Sequence, residues 1–242
     1  MIQWLLKALG IPDEPTPGSV LASTPVPERA APSLAQEALL CSIEPSRGRL
    51  WDTASYAVAA ALLLELSREG RLEVSGTGRK TRVTVLDAHP FGNHELDRSL
   101  ALLAAAQPGS RLTRDVPLLP GAQMMATRLV SRGLIHEETH RRLGLLTARR
   151  LNPTPAAGRD AVVSRVRSAL LGESLPDDRT ALLISVFEVG VPVRFFVPRG
   201  RTREADRRAV DIREGIGADG RALLSAVIAV QDKNSGDYSS GV

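Results

Sequence analysis

The sequence predicts a mainly helical protein with a central buried helix, and three observations lead to this fold class. Apolar residues make up 43% of the chain but aromatic residues only 3%, so Leu, Val and Ala must fill the core, which favours packed helices. The segment Tyr56–Leu64 is apolar on nearly all sides, as is typical of a helix buried on every face. Helix start and stop signals recur along most of the chain.

The first 32 residues are predicted to precede the globular domain as a short helix and a linker. Residues 1–9 have the spacing of an amphipathic helix, with Trp4 beside an apolar face formed by Ile2, Leu5, Leu6 and Leu9. Residues 10–32 contain six prolines and are interpreted as an extended linker. The helix could lie in a bilayer interface, or it could dock on its own domain or on a second subunit. The sequence favours neither interpretation.

The globular domain is predicted to span residues 33–232. Ser33 is a suitable N-cap, and Gln36 follows it as in a capping box. Asp52 is expected to cap the central helix, and an alternating strand pattern covers residues 81–86. The remaining predicted segments are helices at 93–106, 122–132, 157–172, 177–189, 202–215 and 219–231, a short hairpin at 143–147 and a disordered polar tail at 233–242.

The positive charge of the chain is carried almost entirely by arginine. The net charge is +4, and 28 of the 31 basic residues are Arg, because Lys occurs only at positions 7, 80 and 233. A guanidinium group can bind phosphate in a bidentate way, so a polyanionic partner such as a lipid or a nucleic acid is compatible with this composition. Most arginines of an ordinary domain lie on solvated faces, so the count alone does not identify a site.

Cysteine content and hydropathy indicate a cytoplasmic protein. Cys41 is the only cysteine, which excludes an intrachain disulfide and suits a reducing compartment. The longest apolar runs, Tyr56–Leu64 and Ala222–Val230, are shorter than the roughly 20 residues of a spanning helix. Residues 1–9 lack the basic region and cleavage site of a signal peptide.

The strongest enzyme-like motif is His136-Glu137-Glu138-Thr139-His140, a literal HExxH sequence. On a helix, this spacing places two imidazoles on one face to bind zinc. Gly133 ends a helix just before it, and too few residues follow for the long helix that holds such ligands. We therefore interpret the motif as a polar connector. The sequence predicts no catalytic residue, no metal ligand and no cofactor, and we expect that the protein is not an enzyme.

A series of short sequence blocks extends along the globular domain. The blocks are Leu34–Leu40, Leu50–Asp52, Leu64–Leu66, Gly70–Leu72, Gly78–Lys80, Asp87–Gly92, Leu129–Leu134, Leu143–Leu146, Asp177–Leu183 and Ala222–Val230. Their order resembles that of the Golgi phosphoprotein 3 family. The resemblance implies an all-α domain around a central helix, with one exposed β-hairpin.

The resemblance also implies a function and a binding site. Eukaryotic members bind phosphatidylinositol 4-phosphate in a basic pocket, insert the hairpin into the bilayer and help retain glycosyltransferases. The pocket tryptophan corresponds to Trp51, whereas the three pocket arginines correspond to positions near Ala59, Leu119 and Ala122. Arg49, beside Trp51, and Arg128, two turns beyond Ala122, are the candidates for supplying charge instead.

The predicted hairpin has an apolar tip within a basic collar. The tip consists of Leu143, Leu145 and Leu146, and the collar of Arg141, Arg142, Arg149 and Arg150. This pattern suits insertion into an anionic membrane surface. We therefore expect a peripheral protein on the cytoplasmic membrane face whose partner is an anionic phospholipid membrane, with protein clients or a second copy as further partners. The leucines could instead pack inward as an ordinary strand.

The main alternative is a winged-helix-like nucleic-acid-binding protein. The sequences at 66–72 and 129–135 both predict the end of a helix, a glycine that stops it and a short apolar strand. A basic stretch follows each of them. A recognition helix needs exposed polar side chains, and the segment Ala57–Leu64 has none. The sequence therefore makes a nucleic-acid partner the weaker hypothesis. A third hypothesis is a protein scaffold that uses residues 1–9 as a docking peptide.

Overall fold

The computed structural model describes residues 32–107, 109–142 and 146–239, and helices dominate these ranges. The helices are α1 (Leu34–Cys41), α2 (Ala54–Arg68), α3 (His94–Ala105), α4 (Leu112–Asp115), α5 (Ala122–Ser131), α6 (Arg159–Leu171), α7 (Asp178–Val186), α8 (Thr202–Glu214) and α9 (Gly217–Ser239). Two antiparallel hairpins interrupt them, one formed by β1 (Leu72–Ser75) with β2 (Arg82–Val85) and one by β3 (Ile135–Arg142) with β4 (Leu146–Pro153). The predicted mainly helical fold is confirmed. The predicted segments 1–9 and 10–32 lie outside the described residues, except for Pro32.

Helix α2 is the central helix that the sequence predicts. Ten of its fifteen residues are buried, among them Leu62 and Leu63 with no exposed surface. Helices α1, α3, α5, α7 and α9 all pack against it. Because its neighbours surround it, truncation of a leucine such as Leu63 to alanine would leave a cavity that costs about 2–5 kcal/mol. The packing of the whole domain therefore depends on α2.

Local capping explains where several helices begin. The hydroxyl of Ser33 accepts a hydrogen bond from the Gln36 amide at 3.2 Å, as the capping-box pattern predicts. The side chain of Asn93 accepts from two amides in the first turn of α3. The predicted cap at Asp52 is wrong, since α2 begins after Thr53. The Thr53 hydroxyl instead donates to the distant carbonyl of Gly190 at 2.9 Å.

The C-terminal helix is longer than expected from the sequence. Helix α9 runs from Gly217 to Ser239, so it includes residues 233–239 of the segment predicted as a disordered tail. Its apolar half packs against α2, and its Ala222 carbonyl accepts a hydrogen bond from the Thr81 hydroxyl at 3.2 Å. Polar residues continue the helix beyond the core because propagation costs little once packing has fixed the preceding turns.

Candidate functional site

The loop that precedes α2 carries Arg49 and Trp51 and is attached to the base of the β3–β4 hairpin. The carbonyl of Gly48 accepts a hydrogen bond from the Leu151 amide at 2.7 Å. Gly48 has a φ of +62°, and a Cβ at this position would lie 2.5 Å from Cγ of Arg150. Glycine is needed here for both its conformation and its close contact with β4. The loop that carries Arg49 and Trp51 and the base of the hairpin are therefore neighbours.

Trp51 forms an aromatic pair with Phe195, a residue that lies 144 positions later in the sequence. The two ring centroids are 5.0 Å apart, and the ring planes are tilted by 33°. Trp51 is half-buried, whereas Phe195 is 37% exposed. A pair of this geometry stabilises by about 0.5–1.5 kcal/mol beyond the area that it buries. Trp51 therefore has a packing role, and one side of the pair still faces solvent.

Each residue of the aromatic pair has an arginine near it in the sequence, Arg49 two positions before Trp51 and Arg194 directly before Phe195. Arg49 is exposed, and no ion pair or hydrogen bond of its side chain is found within the described ranges. The guanidinium carbon of Arg194 lies 4.9 Å from the centre of the Phe195 ring, within the range of a cation–π contact. Arg194 and Phe195 were not predicted from the sequence. The only local signal is an arginine before two adjacent phenylalanines in a chain that is poor in aromatic residues.

Arg128, the other candidate for binding a headgroup, has a different environment. Its Nε lies 3.0 Å from Oε1 of Glu95, a buried carboxylate on α3. It lies two turns, or about 9 Å along the axis, from the start of α5. That start is the end of α5 that approaches α2, because the Ala122 amide donates to the Ser55 hydroxyl at 3.2 Å. Arg128 therefore belongs to the α3–α5 contact, where it neutralises Glu95.

The residues near which the sequence predicts the family's pocket arginines to fall are apolar and buried. Ala59 is 3% exposed, Leu119 is 6% exposed and Ala122 is 2% exposed. Ala59 lies on α2, Ala122 begins α5 and Leu119 precedes α5, and the Ser55–Ala122 hydrogen bond joins the two helices. At these three predicted positions the side chains are hydrocarbon and supply no cation.

The β3–β4 hairpin is longer than the segment predicted from the sequence. It pairs Ile135 with Pro153 at its base and Arg142 with Leu146 at the last described pair. Of the predicted tip, Leu143 and Leu145 lie outside the described residues, and only the backbone of Leu146 is described. The side chains of Arg141 and Arg142, in the predicted collar, are likewise not described. Insertion of the tip into a membrane therefore stays a prediction.

The two arginines of β4 in the predicted collar form contacts within the hairpin. Arg149 is half-buried and donates from Nη2 to Oε2 of Glu137 on the opposite strand at 2.6 Å. Arg150 is exposed, and its Nε donates to Oδ1 of Asn152 at 3.1 Å. Arg150 thus keeps most of its guanidinium donors accessible, next to the loop that carries Arg49.

The HExxH sequence lies in a strand. His136 pairs with Asn152, and His140 pairs with Ala148, in the β3–β4 ladder. A strand rises about 3.3 Å per residue, so the two backbones are roughly 13 Å apart, too far for two imidazoles to bind one zinc ion in the helical manner. Within the described ranges, no cluster of three His, Cys, Asp or Glu side chains could hold a metal ion.

A comparison with family models settles the family of the chain. The model for Golgi phosphoprotein 3 (GPP34) matches residues 34–232. The chain belongs to the Golgi phosphoprotein 3 family. The resemblance seen in the sequence blocks is therefore confirmed, and the match covers nearly all of the domain that α1 to α9 form. No curated protein matches the chain. In the part of this family member that the structure describes, no helix is both long and apolar enough to cross a bilayer.

The helices that precede the two hairpins are poorly suited to nucleic-acid recognition. Helix α2, which precedes β1, is buried from Ala57 to Leu64 and cannot enter a groove of DNA. Helix α5, which precedes β3, directs Arg128 to Glu95. Membership of the Golgi phosphoprotein 3 family agrees instead with a role in binding lipids or proteins.

Proposed function

We propose that this Golgi phosphoprotein 3 family member binds membranes peripherally, at their cytoplasmic face, through the headgroups of anionic phospholipids. The observation that carries the proposal is the attachment of the Arg49–Trp51 loop to the hairpin base through the Gly48–Leu151 hydrogen bond. This attachment brings the loop with the exposed Arg49 and the Trp51–Phe195 pair close to the base of the hairpin. From there the two strands continue toward the three leucines of the predicted tip. Family membership supports the same proposal.

The physical basis is the sum of electrostatic attraction and shallow insertion. Each arginine close to an anionic membrane surface contributes about 1 kcal/mol, and the attraction decreases within a Debye length. Tryptophan and exposed apolar side chains favour the interfacial region of a bilayer. A headgroup such as phosphatidylinositol 4-phosphate fits this combination, and membrane-bound clients would make the protein an adaptor.

Flotation with vesicles tests the proposal. The full chain should float with phosphatidylcholine vesicles that contain an anionic phospholipid, and raised salt should weaken this binding because it screens the charges. The double substitution Leu145→Asp with Leu146→Asp should reduce flotation, since it places two carboxylates at the predicted tip.

A matched control separates insertion from a general effect of added charge. Leu86 and Leu175 are 61% and 88% exposed, and neither belongs to the hairpin or to the Trp51 loop. The double substitution Leu86→Asp with Leu175→Asp changes the net charge equally and should leave flotation nearly unchanged. Equal flotation with neutral and anionic vesicles would exclude headgroup binding, and equal behaviour of the two double variants would exclude insertion of the hairpin.

A further inference from the structure

Helix α8 buries one face against the domain and exposes the opposite face. Ala205 is fully buried, and Ala209 and Ile212 pack against the core, where α8 lies on α6 and α7. The outer face, which we call the α8 face, consists of the exposed residues Arg203, Arg207, Val210, Asp211 and Glu214. Positions 203, 207, 210 and 214 follow one another at spacings of four, three and four residues, so their side chains form one stripe along the helix.

The charges of the α8 face are separated along the helix. Arg203 and Arg207 lie in its first half, whereas Asp211 and Glu214 lie in its last turn. The helix dipole favours the reverse order, with acidic groups near the start and basic groups near the end. The charge order therefore does not stabilise α8 as an isolated helix.

The charged side chains of the α8 face form no hydrogen bond and no ion pair within the described ranges. Other charged residues close to them are already paired, since Nε of Arg201 lies 2.6 Å from Glu204 and Nη1 of Arg213 lies 2.6 Å from Glu188. Val210 is 39% exposed and lies where the basic half of the face meets the acidic half. The face thus offers an apolar centre between two groups of available, opposite charges.

We propose that a second copy of this chain packs on the α8 face through its own α8, with the two helices antiparallel. A two-fold axis that pairs Arg203 with Glu214 of the second copy passes position 208.5, and one that pairs Arg207 with Asp211 of the second copy passes position 209. At about 1.5 Å per residue these positions differ by about 0.75 Å, so one axis satisfies both pairs. Val210 then lies beside the axis, opposite its own copy. This inference is independent of the proposed membrane binding.

The chemistry of this contact predicts a weak dimer that salt dissociates. A contact between one 13-residue helix and its copy lies at the small end of specific interfaces, below about 1,200 Å². Exposed ion pairs stabilise little, and salt screens them. Like charges placed across a contact, by contrast, strongly disfavour it. Reversal of charge is therefore a sharper test than truncation to alanine.

Sedimentation equilibrium of the full chain, at micromolar to millimolar concentrations, measures the dimer and its loss in raised salt. The acidic variant, Arg203→Glu with Arg207→Glu, makes the charges of the α8 face uniformly negative, and the basic variant, Asp211→Arg with Glu214→Arg, makes them uniformly positive. Each variant alone should dimerise at least tenfold more weakly than the parent protein, because like charges would face one another. An equimolar mixture of the two variants, one of them fluorescently labelled, should form a heterodimer at least as strong as the parent dimer.

Arg98→Glu with Arg132→Glu is the matched control for the acidic variant. Arg98 lies on α3 and Arg132 directly follows α5, both are exposed, and their substitution changes the net charge equally. This control should leave the dimer nearly unchanged, which separates a local contact from an effect of net charge. Thermal unfolding followed by circular dichroism confirms that each variant is folded. Flotation of the same variants with anionic vesicles shows whether Arg203 and Arg207 serve membrane binding instead.

Each other outcome overturns the inference in a different way. A parent protein that stays monomeric in low salt at millimolar concentration has no dimer of this kind. If that monomeric parent floats with anionic vesicles and the acidic variant floats less than its control, the arginines bind lipid. If both variants dimerise as strongly as the parent, the contact lies elsewhere on the molecule. If the variants are monomeric both alone and in the mixture, the antiparallel pairing of opposite charges is wrong.

Discussion

Arginines in this protein occur in two contrasting environments. In the interior, Arg165 and Arg179 both reach Glu37, a carboxylate that is only 2% exposed. Around Trp51, Arg49 and Arg194 are exposed and bond to no acidic group in the described ranges. The first pair neutralises a buried charge, and the second pair gives the surface a positive charge. The same residue type therefore serves stability in one region and is available for binding in the other.

The interior set, which we call the Glu37 cluster, consists of Glu37, Glu65, Arg165 and Arg179. It connects α1, α2, α6 and α7, and Arg179 reaches both carboxylates. Glu65 also accepts a hydrogen bond from the Leu34 amide at 2.9 Å. Burial raises the pKa of Glu65, and the positive charge of Arg179 acts in the opposite direction. The two arginines therefore offset the cost of desolvating the carboxylates.

Removal of both arginines from the Glu37 cluster should give the largest effect. Arg165→Met with Arg179→Met leaves the Glu37 carboxylate buried without a cation, and loss of the partners of a buried charge costs about 3–5 kcal/mol. Urea unfolding at neutral pH measures this as a lower midpoint at an unchanged slope.

A third substitution provides the control for that prediction. Glu37→Leu, added to the two methionine substitutions, removes the unpaired charge and should restore most of the lost stability, because apolar replacements of buried ion pairs are often neutral. If the triple variant is as unstable as the double variant, the arginines stabilise the fold by their packing and the electrostatic interpretation is wrong. Membrane binding by the folded fraction should not change, since none of these residues contacts the Trp51 loop.

This contrast explains how much could be predicted from the sequence. The cap at Ser33, the helix predicted at 93–106 and the apolar central helix follow from local patterns, and the structure has them where the sequence indicates. The contacts of Phe195 with Trp51 and of Arg179 with Glu37 join residues more than 140 positions apart. Only the assembled fold brings such side chains together, so an arginine count could not distinguish a buried partner from a surface charge.

The start of α2 and the strand at the HExxH segment were not predicted from the sequence, and both omissions have the same physical cause. Asp52 has the side chain of a good cap, but the Thr53 hydroxyl is bonded to the carbonyl of Gly190, in the turn after α7, and α2 begins after Thr53. The HExxH residues form a strand because every one of them pairs with a residue of the antiparallel strand β4. In both cases a tertiary contact decides between local conformations of similar free energy.

A helix cap beside the Glu37 cluster should give an intermediate, pH-dependent effect. Asp177 caps α7 by accepting from the Thr180 amide at 2.7 Å. Its hydrogen bonds with Thr180 hold the pKa of Asp177 below its ordinary value of 3.8, and the charges of Arg165 and Arg179 add to this. Asp177→Ala should cost about 1 kcal/mol at neutral pH.

The sign of the pH dependence follows from the lowered pKa. A carboxylate with a depressed folded-state pKa stabilises fully above its unfolded pKa and loses this contribution as pH falls through the folded value. The difference between the parent protein and Asp177→Ala should therefore be constant above about pH 5 and shrink below the ordinary aspartate pKa. A difference that persists undiminished at the lowest pH at which both proteins fold would mean that the cap acts without its charge.

The surface arginines should give the smallest change in stability. Arg49→Ala and Arg194→Ala remove exposed side chains that have no ion pair in the described ranges, so each should alter the free energy of unfolding by less than about 0.5 kcal/mol. For Arg194→Ala, the change in the free energy of unfolding should approach that limit, because the substitution removes the cation–π contact with Phe195. Thermal unfolding of each variant beside Arg199→Ala, which replaces another exposed arginine, measures these differences. A loss above 1 kcal/mol, on the order of a capping residue, would show that Arg194 supports the fold as the arginines of the Glu37 cluster do, and the contrast between the two regions would disappear.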